Sequence, residues 1–447
     1  MGSLAGNILR LSGPMTLALL INLLYSVVDR MYIGHMAYEG RIALTGIGLA
    51  FPIIAIITAF QSLCSMGGAP LLSIARGEGD DKRAELIMGN SFAMLVGFGI
   101  ILTVLGFIFK APVLRLIGAS DNTFGYANDY LTIYLIGTVF VMISLGMNPF
   151  INAQGFAKTG MFTVLIGAVT NIVLDPVFIF ALNMGVKGAA LATVIAQCIS
   201  AVWVFRFLTG KKAILKLRPN NLRLRVRVVS RTLSLGLTGF TMAITNSAVS
   251  ILYNSTLRNL GGDVYVGAMT VINSVREIVH MPLSGLMGGA QPVLGYNYGA
   301  KEYMRVREGI KIQTMISIVY TVMVSAIILA VPQLFIRIFN TDRELLAVGI
   351  PAIRAFFCAF FMMAFQIAGQ NAFISLGKAK EAVFFSLFRK VIILIPLILF
   401  MPTITGMGTD GIFLAEPLSD IVGGIACFST MMFTVYRRLK TLEEQKR

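Results

Sequence analysis

Gly67-Gly-Ala-Pro70-Leu-Leu-Ser-Ile-Ala-Arg-Gly77 returns in altered form as Gly288-Gly-Ala-Gln-Pro292-Val-Leu-Gly-Tyr-Asn-Tyr-Gly299, with Pro292 answering to Pro70. Gly155-Phe-Ala-Lys158 meets Gly377-Lys-Ala-Lys380 at the same offset, and Gly188 to Ala192 meets Gly411 to Ala415 at an offset one position longer. Each match is weak alone. Three at one shared offset, close to half of a 447-residue chain, mark two related halves. We take these as an amino-terminal lobe at 1–209 and a carboxy-terminal lobe at 232–447, joined by a connection at 210–231.

The halves are membrane-embedded. The chain is 56% hydrophobic and 13% charged, outside the range of a water-soluble domain, and its mean hydropathy is +0.80. Apolar runs able to cross about 30 Å of hydrocarbon recur along its length. They fall near 14–35, 46–75, 87–109, 127–153, 161–181, 189–208, 233–256, 264–292, 310–335, 351–373, 383–402 and 412–436. Six spans per half is an even number, so both halves start on the same face. The expected fold is therefore all-α integral membrane, with twelve transmembrane helices in two parallel six-helix repeats about an axis along the membrane normal. The natural cavity of such a fold lies between the halves. No amino-terminal segment reads as removable, Gly2 lacks the context of a lipidation signal, and the tail ends Gln-Lys-Arg, so the helices are expected to anchor the chain.

A net charge of +16 raises the question of nucleic acid, and the placement of the basic residues answers it. Most Lys and Arg fall on the side that holds both termini. The 210–231 connection carries Lys211, Lys212, Lys216, Arg218, Arg223, Arg225, Arg227 and Arg231 without one acid. This is the positive-inside pattern, which places the connection and both termini in the cytoplasm of a multi-pass plasma-membrane protein and calls for no nucleic-acid partner. A basic segment of this kind also suits anionic headgroups. Arg276 reads as the basic residue lying within a helix. The four cysteines sit unpaired in apolar runs and read as packing residues. Two histidines, His35 and His280, are too few for a His-based metal or catalytic centre.

Four stretches give the chain a familiar look: Leu24-Tyr-Ser-Val-Val-Asp-Arg-Met-Tyr-Ile-Gly34, the Gly155 to Met161 turn, Asn171-Ile-Val-Leu-Asp-Pro176, and Gln291 to Ala300. Together they resemble the multidrug and toxic compound extrusion (MATE) family over essentially the whole length. The resemblance implies a V-shaped, two-lobed, twelve-helix antiporter that expels organic, often cationic, compounds in exchange for Na+ or H+. The pattern in helices 1 and 5 is similar to the DinF-like branch, where a helix-1 Asp and a helix-5 Asp share a site in the amino-terminal lobe. Asp29 and Asp175 match those positions, and Asn171 and Thr193 match positions used around the cation. Pro14 is similar to a proline at which helix 1 of some relatives bends.

The residues point the same way without the family. A mid-membrane carboxylate costs about 2.5 to 3.5 kcal/mol on insertion scales, so Asp29 and Asp175 need compensation or a function. Asn171 precedes Asp175 by four residues and Tyr25 precedes Asp29 by four, so each pair shares a helix face. Asn148 and Asn152, flanking Pro149, are placed to complete an amide-rich pocket, and Asn152 and Met147 are candidates to line a substrate cavity. Two carboxylates in a low-dielectric site share a proton or a desolvated Na+, and either event changes the local charge. The second half has no such pair. It carries Glu416 and Asp420 one turn apart, with Glu416 aligned to Thr193, and Arg276, Glu277 and His280 in its second span. Glu416 and Asp420 read either as counter-charge for a cationic substrate or as structural ties to Arg276 or Arg354. Arg276, Glu277 and His280 read as charge partners or a protonation relay.

The expected function is thus secondary antiport of small hydrophobic cations by rocking-lobe alternating access, with Na+ or H+ as the coupling ion. No organic cofactor, catalytic residue or ATPase partner is required, and a monomer in the bilayer suffices. An ATP-driven permease would need a nucleotide partner, since no phosphate-binding Gly-x-x-x-x-Gly-Lys-Ser/Thr loop is present. Two isolated histidines argue against a membrane enzyme, and two repeated lobes with an acid pair in one suit alternating access better than a channel. The nearest rival is a flippase for a lipid or lipid-linked glycan, which would want Arg and Lys across both lobes.

Overall fold

The computed structural model describes residues 3–35, 40–339, 342–404 and 406–446; Gly2 and Arg447, on which the lipidation reading drew, lie outside them. The described residues are helical, with no strand. In chain order the helices are α1 (Leu4–Gly34), α2 (Gly40–Gly77), α3 (Asp81–Ile117), α4 (Asp121–Ile136), α5 (Thr138–Ala153), α6 (Ala157–Pro176), α7 (Val186–Thr209), α8 (Val226–Gly261), α9 (Asp263–Gly299), α10 (Tyr303–Ala330), α11 (Pro332–Arg337), α12 (Arg343–Phe357), α13 (Met363–Ser375), α14 (Ala379–Leu387), α15 (Ile395–Ile404), α16 (Thr409–Met431) and α17 (Arg437–Lys446). Wider π-helical turns at Val177–Ala181, Phe388–Leu394 and Met432–Tyr436 extend α6, join α14 to α15 and join α16 to α17.

Among the described residues ten helices are long and apolar enough to cross a membrane, or eleven when the bent pair α4 and α5 counts as one span. The run at 127–153, read above as one span, is this pair, with a 61° bend at Gly137. A Cβ on Gly137 would lie 2.5 Å from Val194, so the glycine also lets α7 approach the bend. The remaining expected span, 264–292, is α9. It is 37 residues long, about 55 Å at the helical rise, but carries Arg276 and Glu277 near its middle.

The backbone repeats as the sequence does. Gly77 and Gly299 end α2 and α9. Gly79 (φ 79°) and Lys301 (φ 58°) then turn the chain through the left-handed region, at matching positions of the two halves. Gly155 (φ 93°) and Gly377 (φ 69°) do so after α5 and α13, and Gly185 (φ 55°) and Gly408 (φ 56°) before α7 and α16. Glycine is the residue that takes this conformation without steric cost, which is why the aligned motifs are built around it.

Two compact units emerge, Arg10–Phe240 and Thr241–Arg447 with Met1–Leu9. In the first, α2 packs on α3, α4 and α5, and α6 on α7. The Gly67-Gly68 pair lets backbones touch: a Cβ on Gly67 would lie 1.9 Å from the Thr232 carbonyl, and one on Gly236 1.7 Å from that of Leu63. Small residues at such crossings are how helices approach closely in lipid. In the second unit, Tyr253, Ile272, Phe356, Phe357, Leu394 and Phe413 form a continuous buried core.

Candidate functional site

In the Arg10–Phe240 unit the expected residues converge. Asp175 is fully buried on α6, and its carboxyl forms a side-chain pair with that of Asp29 on α1. Asn171, one turn before Asp175, bridges to α7. With its amide oriented to satisfy both neighbours, its nitrogen donates to Asp175 Oδ2 at 2.8 Å and its oxygen accepts from the Thr193 hydroxyl at 3.2 Å. Tyr25 faces the charges of both acids. Arg30 does not bond to Asp29; its guanidinium lies 5.1 Å from the centre of the Phe51 ring on α2. Among the described residues, neither Asp29 nor Asp175 has a basic partner in an ion pair, and Asp29 Oδ1 is buried without a hydrogen bond.

Next to the pair is a small cavity of about 30 Å³ lined by Asn22, Tyr25, Asn148, Asn171, Gln197 and Ser200, among others. Asn148 Nδ2 donates to the Gly160 carbonyl at 3.2 Å, leaving Asn148 Oδ1 unpartnered like Gln197 Oε1. A buried oxygen without a donor costs about 1 to 3 kcal/mol, and these two border a space large enough for one water, which would satisfy them. The donors are all oxygens from carboxylate, amide and hydroxyl groups, which suits a hard ion such as Na+. No group of three or more His, Cys, Asp or Glu side chains placed for a metal occurs among the described residues. Asn152 lies beside Gly160, where a Cβ would approach its Oδ1 to 2.1 Å, and Met147 is fully buried in the core of the unit. Pro14 lies inside α1, which is helical on both sides of it.

Two neighbours were missed in the sequence. Tyr130 and Tyr134 stack one turn apart on α4, 6.1 Å between ring centres, and Tyr130 faces Thr193 and Asp29. Two tyrosines four apart in an apolar run were the available signal, since a buried hydroxyl needs a partner.

In the carboxy-terminal unit the acids are engaged. Arg389 donates to Asp420 at 2.5 Å and to Glu416 at 3.2 Å. Arg276 and Lys390 reach Glu416 at 3.1 and 3.5 Å, and the Tyr253 hydroxyl donates to its other oxygen at 3.1 Å. Of the two ties considered for Glu416, Arg276 makes one, whereas Arg354 is exposed. His280 bonds Ser284 at 2.9 Å, and Glu277 is exposed, outside this cluster. The reading of Arg276 as the basic residue within a helix needs correcting. Arg389 and Lys390 are buried, where the π-helical turn helps two consecutive side chains reach the same carboxylate.

A bundle of long apolar helices in two sequence-related halves, with two acids lacking basic partners among the described residues in one, defines a polytopic membrane transporter. The MatE family profile matches residues 14–177 and 239–400, and the chain belongs to this family, the MATE transporters. Multidrug export protein MepA of Staphylococcus haemolyticus is 22% identical over 424 residues, covering 95% of this chain and 91% of MepA. A crystal structure of MATE in the bent conformation superposes with a TM-score of 0.92 at 21% identity, covering 99% of this chain and 97% of the other. The outward-facing conformation of a multidrug resistance MATE family transporter gives 0.91 at 21%, with the same coverages.

Proposed function

We propose that this transporter is a secondary antiporter of the plasma membrane that exports small amphipathic organic compounds in exchange for Na+ or H+, and that the exchange is coupled at Asp29 and Asp175. The observation that carries the reading is the Asp29–Asp175 pair, half-buried and fully buried in turn, tied by Asn171 to Thr193 and free of basic partners among the described residues. Two carboxylates in one low-dielectric site hold a proton or a cation more readily than two bare charges. Filling and emptying the site changes the charge at the junction of α1, α6 and α7. That change biases alternating access through rocking of one six-helix half against the other. The helix-1 and helix-5 acids with Asn171 and Thr193 support placement in the DinF-like branch. The Lys and Arg distribution supports cytoplasmic termini, and nothing in the scheme calls for more than a monomer.

A cationic substrate is now supported by the amino-terminal acids alone, because Glu416 and Asp420 are occupied by Arg389, Arg276 and Lys390. The flippase reading is not favoured: among the described residues the buried basic side chains, Arg389 and Lys390, belong to one unit. The test is binding of a fluorescent organic cation to purified protein, titrated separately with Na+ and with pH. Coupled exchange requires that at least one ion displace the probe; affinity indifferent to both would overturn it.

A further inference from the structure

A basic cavity in the Arg10–Phe240 unit plays no part in the coupling scheme. It has a volume of about 410 Å³ and is lined by Arg83, Arg225, Arg227 and Arg231 together with Leu71, Leu86, Ile87 and Val228. Its walls come from α2, α3, the start of α8 and the residues just before it, all within the Arg10–Phe240 unit. Arg83 is held by Glu78 at 2.5 Å. Arg225, Arg227 and Arg231 have no acidic partner among the described residues. Three uncompensated guanidiniums therefore border a cavity that also has an aliphatic wall.

The connection carrying these arginines is fastened, not loose. Asn90 is fully buried, and its amide donates to the carbonyls of Asn221 at 3.0 Å and Arg223 at 3.1 Å while its oxygen accepts from the Arg225 N–H at 2.7 Å. Gly89 lets the connection close in, since a Cβ there would lie 2.4 Å from the Asn221 carbonyl. Farther up, Glu85 accepts from the Lys216 N–H at 3.0 Å and pairs with Arg218 at 3.1 Å, and Gln154 accepts from the Leu215 N–H at 2.9 Å. Charge that only orients a chain during insertion requires neither a fixed backbone nor an apolar wall. A preformed recess with both is what an amphipathic anion requires.

We propose that this recess binds the headgroup of an anionic phospholipid of the phosphatidylglycerol type, in the cytoplasmic leaflet on the orientation proposed above. The phosphodiester sits among Arg225, Arg227 and Arg231, and the acyl chains run along Leu71, Leu86, Ile87 and Val228. Guanidinium forks match phosphate oxygens, and the position at the ends of membrane helices puts the site at headgroup depth. The lipid bridges α3 to the first turns of α8, and so braces the segment that leads from one unit into the other. This site is independent of Asp29 and Asp175, so its failure would leave the coupling scheme untouched.

The test uses the purified full chain in neutral detergent micelles, with lipid binding read by native mass spectrometry and by the shift in melting temperature. Phosphatidylglycerol should bind and stabilise more than phosphatidylcholine, and glycerol phosphate without acyl chains should do neither. Arg225→Gln, Arg227→Gln and Arg231→Gln combined should weaken phosphatidylglycerol binding by about 10-fold to 100-fold, since each basic residue near a charged surface contributes to holding an anion. Lys211→Gln, Lys212→Gln and Arg223→Gln, the same charge change away from the cavity, should not. Val228→Trp, which fills the recess and keeps every charge, should also abolish the preference. Equal losses in both charge triples, full binding in the Val228→Trp protein, or equal stabilisation by glycerol phosphate would each overturn the lipid assignment.

Discussion

Thr193 on α7 and Glu416 on α16 occupy equivalent places in the two halves, and their surroundings are opposite in kind. Thr193 bonds Asn171 beside two acids that have no basic partner among the described residues. Glu416 sits among Arg276, Arg389 and Lys390. On one repeated scaffold, one half holds acids without a basic partner among the described residues, and the other a cluster of acids and bases closed on itself.

Like charges as near as those of Asp29 and Asp175 oppose each other in a low-dielectric interior, so an added proton or Na+ should stabilise the folded protein. Its melting temperature is expected to rise with Na+ at fixed pH, or as the pH is lowered from about 8 toward about 6. Asp175→Asn should remove most of that dependence, which differential scanning fluorimetry in detergent can measure.

The carboxy-terminal cluster answers to a different rule. Removing one partner of a buried ion pair typically costs about 3 to 5 kcal/mol, because the remaining charge is stranded. Arg389→Met should therefore destabilise the protein by that order, and Arg389→Met with Asp420→Leu should recover a good part of the loss. Thermal unfolding of the single and double variants reads both effects.

Close helix crossing gives a third expectation. A methyl group on Gly236 would meet the Leu63 carbonyl at 1.7 Å, backbone that cannot swing aside. Gly236→Ala should cost about 3 kcal/mol or prevent recovery of folded protein. Gly97→Ala, on α3 with nothing within 4 Å of the added carbon, should be neutral or mildly stabilising. Fluorescence-detected size exclusion after a heating step separates the two.

The repeated turn after α2 and α9 gives a fourth. Gly79 and Lys301 share the left-handed conformation, which costs a residue with a side chain about 1 to 2 kcal/mol. Gly79→Ala should lower stability by about 1 kcal/mol, whereas Lys301→Gly should hold or raise it, as the midpoints of thermal unfolding will report.

The spans and the repeat were legible because both rest on local signals, apolar length and glycine at left-handed turns, and Gly155 with Gly377 shows the second directly. The acid pair was legible because a carboxylate in an apolar run is conspicuous. Arg389 and Lys390 were not, since near the start of a span a basic residue looks the same whether it reaches for headgroups or turns inward to Glu416. A π-helical turn, which leaves no simple mark in sequence, helps decide that. The bend at Gly137 was hidden for a similar reason, as a single glycine in an apolar run fits either a straight or a broken helix. Tyr130 on α4 escaped because its role comes from Thr193 on α7, far from it along the chain.

Whether Asp29 and Asp175 couple ion flow to export is tested most directly in everted vesicles. Vesicles containing the wild-type protein, given a pH or Na+ gradient, should accumulate a fluorescent organic cation, and Asp29→Asn with Asp175→Asn should abolish gradient-driven accumulation while the protein still inserts and folds. Full accumulation by that double variant would contradict the central claim.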